Sequence, residues 1–154
     1  MIGISWLLPD TPEITICARW RIDAFSDVLT NSFEQELVTL NEFASVKKGQ
    51  AGFVAHWDGQ PVGVCLLVPK EIEPCHPVTP WLAGLFVAPE FRKRGIATSL
   101  IGAVGQEALQ QGNDRIYLYT DESETFYARR GWIVEERCIW HGMPTLLMSK
   151  KLIN

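Results

Sequence analysis

The feature that most constrains this fold is a change of hydrophobic period between residues 81 and 110. The run "WLAGLFV" (81–87) is uninterruptedly apolar, as expected of a strand buried on both faces. In "GIATSLIGAVGQEALQQG", Ile96, Leu100, Val104 and Ala108 return at helical spacing, and Gly112 marks the stop. Between the two lies "APEFRKR", where Arg92, Lys93 and Arg94 directly precede Gly95. The chain as a whole is acidic, with 18 Asp plus Glu against 14 Lys plus Arg, so this basic cluster needs a local cause. A helix start exposes unpaired N–H groups, and positive side chains there oppose the helix dipole at a cost of roughly 0.3–1 kcal/mol each. Two readings stand on spacing alone: a solvated basic helix start, or a cradle for a phosphate-bearing anion, with Gly95 admitting it close to the backbone. The pattern is neither GxxxxGK[ST] nor GxGxxG, which excludes the common nucleotide loops.

The rest of the chain surrounds this junction with a mixed α/β (α+β) order. Thr11 as N-cap and Pro12 at the first helical position open a helix over Glu13–Phe25, with Ile14, Ala18 and Ile22 on one face. Ser32 and Gln35 form a capping box for a second helix striped by Leu37, Leu40, Phe43 and Ala44. The segment "GFVAHWDGQPVGVCLLV" predicts a hairpin turning at Asp58-Gly59. Residues 70–80, with three prolines, predict a loop. Gly84, in the middle of its strand, signals a bulge or a close backbone approach. "RIYLYT" is a strand, "ESETFYARR" a short helix ended by Gly131, and the last two strands turn at His141-Gly142. A strand before the first helix is left open.

A chain of 154 residues makes one domain, 1–154, with a real core. Cys17, Cys65, Cys75 and Cys138 form no CxxC pair, so they predict free thiols, no metal, and a cytoplasmic protein. No apolar run approaches a membrane span and the N-terminus lacks a signal-peptide pattern, so no membrane partner is expected. The net charge of −4 argues against a nucleic-acid partner.

Two separated segments resemble the GNAT superfamily of N-acetyltransferases. "FVAPEFRKRGIATSLI" is similar to its motif A, Arg or Gln followed after two residues by Gly-x-Gly/Ala, here Arg92-Lys93-Arg94-Gly95-Ile96-Ala97. "FYARRGW" resembles its FYxxxGF segment, with Tyr127 at the tyrosine. The resemblance runs from about residue 11 to the end. It implies a mostly antiparallel central sheet with a splayed fourth and fifth strand and about four flanking helices. It implies acetyl-CoA as cosubstrate. The diphosphate would lie on the N–H groups of Arg92, Lys93, Arg94, Gly95, Ile96, Ala97 and Thr98. The pantetheine arm would pair with Leu85, Phe86 and Val87, and Leu85 N–H would receive the developing oxyanion. Tyr127 would be the general acid for the departing thiolate. The implied reaction is direct attack by a primary amine of a small molecule or peptide.

The family's occasional strand glutamate has no counterpart in "TPWLAG". Proton removal from the amine is left to a water chain, His76, Glu36 or a backbone carbonyl. Trp57, Trp81, Trp132 and Trp140, and the acidic "TDESE" (120–124), stand between acceptor-pocket lining and ordinary packing or helix-start roles. A non-catalytic acetyl-CoA-binding sensor is the alternative function. A homodimer paired through the C-terminal hairpin is the possible assembly.

Overall fold

The computed structural model describes residues 1–153 apart from 27 and 46. Seven strands and four α-helices follow in the order β1 Ile2–Trp6, α1 Pro12–Ala24, α2 Phe33–Ala44, β2 Ala51–Trp57, β3 Gln60–Val68, β4 Trp81–Val87, α3 Ile96–Gln110, β5 Arg115–Thr120, α4 Glu124–Ala128, β6 Ile133–Trp140 and β7 Met143–Lys151. A 3₁₀ turn at Pro89–Phe91 joins β4 to α3. The open strand question resolves as β1, paired antiparallel with β2. The sheet runs β1-β2-β3-β4-β5-β7-β6, and β4–β5 is its parallel neighbour pair. That pair keeps a single register contact, Trp81 with Tyr117, where Tyr117 N–H donates to Pro80 O at 3.1 Å. Beyond that point the two strands diverge, while β5 stays fully paired with β7. This is the expected splay.

Helices cover both faces. Ile96, Leu100, Val104 and Ala108 of α3 pack with Cys65, Leu67, Ile116 and Leu118 on one side. On the other, Ile14, Cys17 and Ala18 of α1 and Leu40 and Ala44 of α2 pack on Val64, Leu66 and Trp81. Alternate residues of β3 thus feed opposite layers, the period-2 consequence of a strand in a covered sheet.

The capping box holds: Ser32 Oγ accepts from Gln35 N at 3.2 Å, and Gln35 Oε1 accepts from Ser32 N at 2.8 Å. Thr11 occupies the N-cap of α1, but its hydroxyl donates to Leu8 O at 2.7 Å instead of capping the helix. Two expected apolar stripes are displaced. In α1 the buried face is Ile14, Cys17, Ala18 and Arg21, with Ile22 only half-buried. In α2 it is Glu36, Leu40 and Ala44, with Leu37 and Phe43 half-buried. One cation and one anion have therefore entered the interior. β4 departs from the expected double burial too: Ala83 to Phe86 are half-buried because β5 has moved off their edge. Cys17 and Cys65 are buried free thiols, Cys138 is half-buried and Cys75 exposed. Among the described residues no helix is long and apolar enough to cross a membrane.

Candidate active site

The β3–β4 register steps from Val64↔Phe86 to Leu66↔Ala83. Cys65 alone therefore faces both Gly84 and Leu85, which makes a β-bulge in β4. A bulge leaves one residue outside the ladder and turns its peptide away. Gly84 has φ +64°, and a Cβ there would run into Nη1 of Arg21. Glycine is required at this point on both counts: backbone conformation and room for the guanidinium. Both expectations for Gly84, bulge and close approach, are realised together.

At the other end of the strand, Lys93 (φ +64°) and Gly95 (φ +82°) are both left-handed. The turn compresses the chain so that the N–H groups opening α3 face a hollow. That hollow is a cavity of about 420 Å³ lined by Leu85, Phe86, Val87, Arg92, Lys93, Gly95, Ile96, Ala97, Thr98 and Tyr127, together with Phe91, Ser123, Phe126 and Arg130. Nine of the ten expected cosubstrate contacts are thus in one place, as is Tyr127. Arg94 is not in the lining; its guanidinium lies over the rings of Trp57 (5.1 Å) and Phe91 (5.4 Å). Arg92 Nε donates to Val87 O at 2.9 Å, tying the turn to the strand end. Nothing stands within 4 Å of a Cβ built on Gly95.

Arg130 completes the basic rim without having been anticipated. Its Nε donates to Thr98 Oγ1 at 2.9 Å and Nη1 to Phe126 O at 2.7 Å, with the guanidinium 3.6 Å from the Phe126 ring. The charge-rich "ARRG" beside Tyr127 was its only signal, and only folding brings α4 alongside the start of α3.

A second cavity, about 540 Å³, opens on the α1–α2 side of β4. It shares Leu85, Ser123 and Tyr127 with the first, so the two hollows meet in the gap between β4 and β5. Arg21, Phe25, Leu29, Glu36, Phe43, Lys70, Glu71, Tyr119, Asp121 and Trp140 are in its walls. Of the four candidate tryptophans, Trp140 lines this cavity. Trp81 and Trp132 are buried packing residues, and Trp57 stacks near Phe91. From "TDESE", Thr120, Asp121 and Ser123 reach the wall.

The electrostatics separate the candidate proton acceptors. Glu36 is fully buried, accepts from Arg21 Nε at 2.5 Å and from Asn31 Nδ2 at 3.2 Å, and is thereby committed to an ion pair. His76 is outside the cavity walls; Nδ1 is 2.7 Å from Tyr119 Oη, and Nε2 bonds Glu136. Glu71 is in the wall, and burial pushes its carboxyl above the ordinary range, partly offset by the Ile72 N–H it accepts and by the charges of Arg21 and His141. Loop position had hidden it. Burial likewise pushes the Tyr127 phenol above its usual value, with the Arg130 charge pulling weakly the other way.

A cradle at a helix start beside a sheet gap that joins two cavities is the arrangement of an acyl-group transferase. The Acetyltransferase (GNAT) family model matches residues 15–132, and the chain belongs to that family. No curated protein matches the sequence. Among solved structures, aminoglycoside 6'-acetyltransferase type Ii is 21% identical with a TM-score of 0.76, covering 99% of this chain and 98% of that one. An aminoglycoside 6'-N-acetyltransferase complexed with coenzyme A is 19% identical, TM-score 0.74, over 99% and 98%. A GNAT-family acetyltransferase from Streptococcus pneumoniae is 16% identical, TM-score 0.73, over 99% and 100%. At these identities the likeness concerns the fold.

Proposed function

We propose that the protein is an N-acetyltransferase that moves the acetyl group of acetyl-CoA to a primary amine by direct attack, with Tyr127 as general acid. The observation that carries this reading is the meeting of two cavities at Leu85, Ser123 and Tyr127. Bound there, acetyl-CoA supplies a thioester carbonyl and a thiol leaving group. The residues present fit it. The N–H groups from Lys93 to Thr98 and the charges of Arg92, Lys93 and Arg130 suit a diphosphate, while the Arg92 N–H itself is taken by Pro89 O at 3.4 Å. The edge of Leu85, Phe86 and Val87, left by β5, offers peptide groups to the amides of the pantetheine arm.

Leu85 N–H, at the bulge and in the walls of both cavities, donates to the carbonyl oxygen as negative charge grows there. The Tyr127 hydroxyl, protonated at neutral pH because its phenol is shifted upward, gives its proton to the departing sulfur, and the second proton of the acylated nitrogen restores the phenol as the C–S bond breaks. The amine enters from the second cavity and must lose a proton before it attacks, since a lysine-like amine has a pKa of ~10.4. Glu71 takes that proton: it is in the cavity wall, and burial raises its carboxyl above the ordinary glutamate value. Exposed Ile133, Val134 and Ile139 on the edge strand β6 support pairing of two copies along that edge.

The test is free-thiol release from acetyl-CoA by the purified protein with pooled amines. Amine-dependent release is expected. Tight binding of CoA without turnover on any amine favours the non-catalytic sensor, and no binding at millimolar acetyl-CoA removes both readings.

A further inference from the structure

Arg21 is 6% exposed, yet it reaches the wall of the acceptor cavity. Of its five N–H donors, the one on Nε is used on Glu36. The four on Nη1 and Nη2 make no hydrogen bond among the described residues. Nη1 lies against Gly84, the residue before Leu85. Glu36, itself gripped by Asn31, holds the Nε edge and so fixes the plane of the guanidinium. The result is a pre-oriented pair of donors, open to the cavity, one residue from the proposed oxyanion site. A guanidinium presents such paired donors in the geometry of a carboxylate.

Resting on the transferase reading above, we infer that the acceptor carries a carboxylate next to its amine, and that it is an α-amino acid with an apolar or aromatic side chain. With Arg21 against Gly84 and Leu85 next in the chain, a carboxylate on the carbon that bears the amine can sit on Arg21 while the amine sits beside Leu85. Glu71 faces the same cavity and feels the Arg21 charge, so an ammonium and a carboxylate on one small molecule each find an opposite partner. Phe25, Leu29, Phe43, Val68, Ile72 and Trp140 give the wall an apolar part beside its polar part with Lys70 and Asp121, and that apolar part suits an apolar side chain.

The experiment compares L-phenylalanine, L-phenylalaninamide and phenethylamine, then the leucine series, by thiol release at fixed acetyl-CoA. A site whose donors lose their partner when the substrate fills the cavity rejects the analogue lacking that partner, so the wild type is expected to favour the free amino acid by about 10²-fold in kcat/KM, mostly through KM. In Arg21→Gln, checked for folding by circular dichroism and for CoA affinity by calorimetry, that ratio is expected to collapse toward one. Wild-type turnover indifferent to the carboxylate, or better without it, overturns this inference and leaves the transferase standing. CoA binding with no turnover on any amine overturns the transferase reading itself. The wild-type panel decides the question even where the variant does not fold.

Discussion

Arg21 Nε lies 2.5 Å from Glu36 Oε1, and the pair is buried beneath the bulge of β4. Each residue interrupts the apolar stripe of its own helix, and each does so opposite the other. A buried pair stabilises little in total, because desolvation offsets most of the attraction. Removing one member is another matter, since an uncompensated charge is then left inside.

Glu36→Ala is therefore expected to destabilise the protein by about 3–5 kcal/mol. The double replacement Arg21→Met with Glu36→Leu is expected to recover most of that loss. Urea unfolding of the two variants checks it; equal loss in both contradicts the account.

Tyr127→Phe keeps the ring that packs at 5.2 Å from Phe126 and 5.8 Å from Trp132, and removes only the hydroxyl. Stability and CoA affinity should stay close to wild type. Turnover is expected to fall by about 10²-fold or more if the hydroxyl protonates the leaving sulfur. Undiminished kcat takes Tyr127 out of the mechanism.

Glu71 works as a base only when ionised. Burial raises its carboxyl, so the acid limb of kcat/KM should lie above the ~4.3 of an ordinary glutamate, with activity rising as pH passes the raised value. Glu71→Gln is expected to abolish that limb. The same shift has a stability sign. A raised carboxyl favours the folded state below its ordinary value, and this contribution is lost as pH rises through the folded one. Glu71→Gln should then be neutral to stabilising at pH 7 while activity drops. A pH–rate profile identical to wild type would remove Glu71 as the base.

Gly95→Leu places a side chain in space that the protein itself leaves open, at φ +82°. CoA binding should weaken at least tenfold by calorimetry, beyond the ~1–2 kcal/mol of strain that any side chain brings to that backbone. Gly112→Ala is the control: it carries φ +92° and open space, but sits at the far end of α3. Equal effects of the two on CoA affinity would relocate the cradle.

Much of the site was legible before folding because its signals are local. A strand, a basic turn with Gly95 and an amphipathic helix lie within thirty residues, so the junction was visible from adjacent positions, and the cosubstrate came from its resemblance to the family's motif A. Tyr127 was legible from its own short segment. Arg21 was hidden because it sits among apolar residues at helical spacing, where Ile22 looked the better choice for the buried face. Glu71 was hidden by a proline-rich loop that gives no period, and Arg130 by its distance in sequence from Thr98.

The sequence by itself determined the order of elements from α1 onward, an irregularity at Gly84, the capping box at Ser32 and the basic, glycine-marked start of α3. These depend on dihedral preferences and on neighbours a few residues apart. Only the tertiary structure decided the charge in the second cavity. Burial and Coulomb interaction depend on distance in space, so the pairing of Arg21 with Glu36, the raised carboxyl of Glu71 and the junction of the two cavities came into being only when α1, α2 and β5 were set around β4.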